Sequence, residues 1–199
     1  MIAYIEGKLA HKDPTYLIVD VQGMGYQVRI SLHTYTQIKD LEKVKVHTFL
    51  HIKEDAHTLF GFADLLEKEI FMHLISISGI GPGTALVMLS SLNPSEVRDA
   101  IVNEDVRTIQ GVKGIGTKTA QRVILELKDK LKKEYLLSAT DSKQNFSISH
   151  NSIRSEALNA LVTLGFTKAI AEKNLDAILK SNSTQLTLEG LIKQALKMS

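Results

Sequence analysis

The chain has 199 residues, 44% hydrophobic and 23% charged. That apolar fraction excludes disorder throughout and suffices for one large domain or two to three small ones. The absence of cysteine excludes disulfides, iron–sulfur clusters and thiolate zinc sites, and no apolar run approaches the ~20 residues of a membrane span. The net charge is only +2, from 24 Lys and Arg against 22 Asp and Glu, so any nucleic-acid binding must rest on local geometry rather than bulk charge.

Met1–Glu6 lacks the basic segment and apolar stretch of a secretory signal, and a soluble, cytoplasmic protein is expected. Short runs rich in Ile, Val, Tyr, Phe and Leu then predict five strands: 1–10, 16–21, 26–32, 44–52 and 58–62. Asp13-Pro14, Gly23-Met24-Gly25 and Lys53–His57 supply turns, and a short helix fits around 34–41. The expected first domain, residues 1–62, is a five-stranded barrel of the OB type, with an SH3-like barrel as the near alternative.

From Ala63 the period becomes helical, with Ile70, Phe71, Leu74, Ile75 and Ile77 on one face. Asn93-Pro94-Ser95-Glu96 has the form of a capping box with proline at the first helical position. An amphipathic helix over 118–133 completes an all-helical region, 63–136. The Ser-rich stretch 137–151 reads as a flexible linker. Three helices, 152–164, 167–180 and 187–198, predict a small C-terminal bundle in which Gly165 stops the first helix and Thr167 caps the second. The fold class is therefore multi-domain, β followed by all-α.

The most specific feature is an internal repeat at an offset of 35 residues. Ile77-Ser-Gly79-Ile80-Gly81-Pro-Gly-Thr-Ala85 aligns with Val112-Lys-Gly114-Ile115-Gly116-Thr-Lys-Thr-Ala120. Two glycines permit a tight turn and close backbone approach, the isoleucine tucks into the hairpin, and the small alanine lets the helices pack closely. The turn amides and the following helix N-terminus then face one point, a ready anion site. This is the helix-hairpin-helix pattern, which contacts DNA phosphates without reading bases.

Charge is distributed unevenly across the two copies. Residues 63–105 carry a net −5 and residues 106–135 a net +5. Lys118 and Arg122 lie four apart on one helix face, within reach of the same phosphates. The run from Lys128 to Lys133 reads as a solvated helix end. Hairpin one has Gly83 where hairpin two has Lys118, and so relies on backbone amides.

No enzyme site assembles from the residues. Gly111–Thr119 evokes a phosphate-binding loop, but its lysine is one place late and no strand precedes it. His47, His51 and His57 read as surface or barrel histidines rather than metal ligands. No cofactor or metal is expected. The competing class is a helix-hairpin-helix repair enzyme, a glycosylase or nuclease, which needs a catalytic Asp or Lys beside a base pocket; neither is placed after the hairpins. A single-strand binder would need a row of stacking aromatics that the strands lack.

The order of parts is similar to that of the RuvA family of Holliday-junction-binding subunits in bacterial branch migration. The resemblance runs through Gly23-Met-Gly25-Tyr26, Glu54-Asp55-Ala56, Leu59-Phe-Gly61-Phe62, both Gly-Ile-Gly hairpins and Leu161-Val-Thr-Leu164-Gly165-Phe166. It implies an OB barrel, tandem hairpins and a C-terminal, UBA-like three-helix bundle that engages a hexameric RuvB-type ATPase. It also implies a homotetramer, sometimes a pair stacked as an octamer, that holds four-way junction DNA open and planar in recombination, repair and the SOS response, together with a RuvC-type resolvase. By the same resemblance Gly79, Gly81, Gly114, Gly116, Lys118 and Arg122 contact DNA, Glu54 and Asp55 form an acidic pin at the crossover, and Leu161, Leu164 and Phe166 dock the motor. The family more often has lysine at the positions of Gly83 and Thr117.

Overall fold

The computed structural model describes residues 1–141, 150–181 and 187–198, which fall in two compact units, Met1–Ala139 and Thr140–Ser199. In the first, β1 (Tyr4–Lys12), β2 (Tyr16–Val21), β3 (Met24–Ile30), β4 (Lys43–Ile52) and β5 (His57–Phe62) close a barrel in the order β1-β2-β3-β5-β4. Only β3 and β5 pair in parallel, Val28 opposite Leu59 and Ile30 opposite Gly61, while the other neighbours are antiparallel. A helix, α1 (Leu32–Ile38), occupies the β3–β4 connection. This closure is the OB arrangement and decides against the SH3-like alternative.

Strand alternation sets the barrel core: Leu17 and Val19, Val28 and Ile30, and Val44 and Val46 all turn inward and are buried. Three boundaries differ from the periodicity. The β2–β3 turn is Gln22-Gly23, both at positive φ (53° and 92°), so β3 begins at Met24. That is the backbone twist a two-residue hairpin loop needs, and the Asp20 carboxylate braces it by accepting the Gly23 N–H at 2.8 Å. A bulge between Leu9 and His11 carries β1 on to Lys12. The α1 helix starts earlier than expected because the Ser31 hydroxyl caps it, accepting the Thr34 N–H. At Gly7 β1 leaves no room for a side chain against β2: a Cβ there would lie 2.2 Å from the Asp20 carbonyl oxygen.

The hairpin region comprises α2 (Leu65–Ile75), α3 (Pro82–Ser91), α4 (Pro94–Val102), α5 (Val106–Gln110) and α6 (Thr117–Asp141). The capping box at α4 is formed in both directions, Asn93 to the Glu96 N–H and Glu96 to the Asn93 N–H. Phe60 and Phe62 at the end of β5 belong to the core of the helices. Their rings lie 5.5 and 4.8 Å from that of Phe71, and Phe49 adds a third at 5.7 Å. Barrel and hairpins thus share one apolar seam across the 62/63 boundary expected from sequence. The α6 helix continues to Asp141 and α7 begins at His150, so both ends of the expected linker 137–151 are helical; residues 142–149 of that stretch lie outside the described residues.

The second unit packs α7 (His150–Thr163), α8 (Lys168–Ser181) and α9 (Leu188–Lys197) around Ala157, Leu161, Ala171, Leu175, Ile178, Leu191 and Ala195. Gly165, at φ 101°, ends α7: its N–H bonds to the Val162 carbonyl and the Phe166 N–H to the Leu161 carbonyl. These two bonds make a Schellman stop. No helix among the described residues is long and apolar enough to cross a membrane.

Candidate nucleic-acid interface

The two repeats fold into the same turn. In the first, the Ile80 N–H reaches the Ile77 carbonyl at 3.0 Å; in the second, the Ile115 N–H reaches that of Val112 at 3.1 Å. Ile77, Ile80, Val112 and Ile115 are buried, and Ala85 and Ala120 are fully buried where the helices meet. The paired glycines divide into two kinds. Gly79 and Gly114 sit at φ 95° and 91°, a conformation that side chains resist. Gly81 and Gly116 have no such constraint, and a Cβ on either would meet nothing within 4 Å. Nothing inside the fold requires glycine there; the bare backbone is left open to the outside.

Helix capping reinforces this contrast. The neighbouring α2, α4 and α5 cover their own first-turn amides with Asp64, Asn93 and Asp105. By contrast α3 begins at Gly81 with no side-chain cap, and Gly116 takes the same place before α6, its carbonyl accepting the Ala120 N–H at 2.9 Å. Two helix N-termini therefore present exposed amides with their partial positive charge. They are the two that open the second halves of the repeats.

Lys118 is exposed and makes no ion pair among the described residues. Arg122 is exposed as well, but its Nε donates to Glu126 Oε1 at 2.8 Å, an i,i+4 pair that offsets part of its charge. Lys128 pairs with Glu104, whose backbone is left-handed at φ 58°. Their hydrogen bond lowers the Glu104 pKa and raises that of Lys128. Lys128 is thus partnered within the first unit.

Glu54 and Asp55 are exposed at the tip of the β4–β5 hairpin, where the Lys53 N–H bonds to the Ala56 carbonyl at 2.9 Å. In the second unit the three residues expected to dock a motor separate. Leu161 is fully buried, Phe166 is half-buried against the same core, and Leu164 is 60% exposed. The Schellman stop explains the first two: the residue after its glycine packs back on the helix it ends. Leu161 is therefore a core residue rather than a surface one, whereas Leu164, like Val162 and Ile170, is exposed.

Among the described residues, one group of three has metal-ligand geometry: His33, Asp64 and Glu67. Its ligand atoms are already engaged by hydrogen bonds within the chain. Glu67 is buried and accepts hydrogen bonds from the Ser31 and Thr34 hydroxyls, while Asp64 caps α2. His51, one of the barrel histidines, packs beside Phe49 and Phe60. Sequence reasoning missed both Glu67 and Glu126. The second was visible as an i,i+4 partner of Arg122, but nothing local in Leu65-Leu-Glu-Lys-Glu69 marks Glu67 as the buried carboxylate.

Comparison with known proteins agrees with this layout. The family model for the RuvA N terminal domain matches residues 1–61, that for a SAM-like helix-hairpin-helix tandem matches 71–129, and that for the RuvA C-terminal domain matches 152–198. Proteins described as Holliday junction branch migration complex subunit RuvA are similar over nearly the whole length. The one from Cytophaga hutchinsonii is 78% identical, with all of both chains covered. That from Christiangramia forsetii is 50% identical with 99% of each covered, and that from Acetivibrio thermocellus 40% identical with 99% of this chain and 98% of its own covered. With its barrel, paired hairpins and terminal bundle matched in order and at these identities, the chain belongs to the RuvA family.

Proposed function

We propose that this protein binds four-way DNA junctions without regard to sequence, as the DNA-binding subunit of a Holliday-junction branch-migration complex. The observation that carries the reading is the pair of helix N-termini opened by glycine, which has no side chain to cap with, beside helices that cap themselves. Exposed amides and an unobstructed backbone suit phosphates, which are the same at every base pair. The chain supplies no ATP chemistry in this reading; a RuvB-type hexameric ATPase docks on the exposed Leu164 surface, and a RuvC-type resolvase acts on the same junction. A cytoplasmic setting goes with that role. A head-to-tail tetramer matches four DNA arms, and each added copy brings two more hairpins, so individually modest contacts combine. A helix-hairpin-helix glycosylase or nuclease is not favoured.

A gel-shift series comparing a four-way junction, duplex and single strand tests this directly: the junction is expected to bind tightest, and equal binding to all three would overturn the reading. A chain ending at Asp141 is expected to keep junction binding and lose stimulation of the motor ATPase. Leu164→Asp should impair that stimulation while leaving the thermal midpoint of the bundle unchanged.

The acidic tip offers a further check. In a tetramer that brings the Lys53–His57 loops near its axis, Glu54 and Asp55 repel phosphates at the crossover, where screening is weaker than in bulk water. Such repulsion opposes binding and turns the strands outward into new arms. Glu54→Gln with Asp55→Asn is therefore expected to bind junctions at least as tightly, lose discrimination against duplex and change the branch-migration rate. Weaker binding with selectivity intact would reduce the pair to an ordinary hairpin tip.

A further inference from the structure

The repeat is asymmetric at one chemically important place. Lys118 is the second residue of α6, and the corresponding second residue of α3 is Gly83. Its own surroundings do not replace the missing cation. Residues 63–105 contain only Lys68 and Arg98 as basic side chains. Lys68 lies in the first turn of α2, at the end remote from the hairpin, and Arg98 is engaged with Asp99 at 3.3 Å. With a net charge of −5, this stretch by itself repels a phosphate that the α3 amides would attract.

Another element brings a cation to a cleft that the first hairpin helix also lines. A cleft of about 410 Å³ separates the barrel from α3, and its lining includes Thr15, Tyr16, Gln27, Arg29, Gly83 and Ser90. Arg29 is the one charged residue in that lining. It is exposed and makes no ion pair among the described residues, so its guanidinium is uncommitted. Its backbone is held on both sides, opposite Tyr16 of β2 and opposite Phe60 of β5. The far wall is tied to the barrel as well, since the Leu32 N–H donates to Ser90 Oγ at 3.1 Å. Arg29 therefore keeps a fixed station relative to Gly83.

We infer that Arg29 supplies the first hairpin with the phosphate-binding cation that Lys118 supplies to the second, so that a phosphate is gripped between a barrel strand and α3. The inference rests on the hairpin reading above and extends it: the barrel becomes part of the DNA grip. Arginine suits the task, because its planar fork can hold two phosphate oxygens at once and its charge persists at any working pH. The hydroxyls of Thr15, Tyr16 and Ser90 and the Gln27 amide line the rest of the cleft with neutral donors.

Salt titrations of junction binding with the full chain test this. Arg29→Gln is expected to weaken binding about three- to tenfold near physiological salt and to lower the slope of log K against log salt by about one unit per bound copy. The thermal midpoint should not move, since the side chain is exposed. Arg29→Lys should keep the slope with a smaller loss. Gly83→Lys placed on Arg29→Gln should restore both affinity and slope, because Gly83 has open space for a side chain. An Arg29→Gln protein with unchanged affinity and slope would overturn the inference, and a loss that Gly83→Lys fails to restore would overturn its assignment to the first hairpin. Lys118→Ala, run in parallel, separates the two levels: a loss at Lys118 without one at Arg29 sinks only this inference, whereas no loss at either sinks the hairpin reading.

Discussion

Replacing Lys118 and Arg122 together by alanine is expected to weaken junction binding roughly tenfold or more near physiological salt, with the salt slope falling by about one unit per lost contact in each bound copy. The two residues are not equivalent. Lys118 makes no ion pair among the described residues, so its charge is uncompensated there, whereas that of Arg122 is partly offset by Glu126. Lys118→Ala should therefore cost more than Arg122→Ala, and Glu126→Gln should tighten binding by freeing the guanidinium. All these effects should be the same for junctions of any sequence. Equal affinity of wild type and double mutant across the titration would remove these side chains from the interface. The glycines give a control that charge does not. Gly81→Ala and Gly116→Ala meet neither positive φ nor a neighbouring atom, so they should fold normally and bind poorly. Gly79→Ala and Gly114→Ala place a side chain in the left-handed region, at a cost of about 1–2 kcal/mol to the turn, and should lose stability as well. Thermal melts alongside binding curves separate the two kinds.

Glu67→Ala is expected to destabilise the first unit by about 2–4 kcal/mol, the largest effect on stability anticipated for a polar residue. Its two carboxylate oxygens accept from Ser31 and Thr34, and those hydroxyls in turn accept the backbone N–H groups of Thr34 and Ala63. Removing the carboxylate leaves two buried hydroxyl protons without an acceptor at the join of α1 and α2, which is where the barrel meets the hairpins. Glu67→Gln keeps the shape but can accept from only one hydroxyl, so it should fall between the two. Burial raises the Glu67 pKa above its ordinary 4.5, against the two hydrogen bonds and nearby His33, which lower it, and with Asp64, which raises it further. The folded state then holds the proton more tightly than the unfolded state. This contribution to stability is full below the unfolded pKa and is lost as pH rises through the folded one. Urea denaturation of wild type and Glu67→Gln at a series of pH values should show the wild-type advantage shrinking as pH rises through that window. An advantage independent of pH would mean that Glu67 is not held as a raised carboxyl.

Features that depend on a dozen residues or fewer were legible from the amino-acid order. Gly-Ile-Gly repeated at an offset of 35 residues marks two identical turns, since each needs a left-handed residue, an inward apolar side chain and a small contact residue at set spacings. The capping box at Asn93 and the stop at Gly165 are likewise local, being hydrogen bonds within one helical turn. Alternation placed Val28, Ile30, Val44 and Val46 inside before any strand was paired. What joins distant segments was decided only by the tertiary structure. The parallel β3–β5 closure that makes the barrel an OB fold leaves no trace in either strand's pattern, because an inward face looks the same whichever neighbour covers it. Glu67 reads as a solvated helix residue until Ser31 and Thr34, 36 and 33 positions earlier, bury it. Leu161 and Leu164 are the same residue type three apart on α7 and its stop, yet one is core and the other surface, because α8 and α9 cover only one side of that helix. Arg29 alternates outward like any strand residue, and only the packing of α3 near the barrel puts it in one cleft with Gly83. Local stereochemistry specified the turns and inward faces; which surfaces meet is a property of the whole packed chain, where burial and long-range hydrogen bonds outweigh the preferences of any single segment.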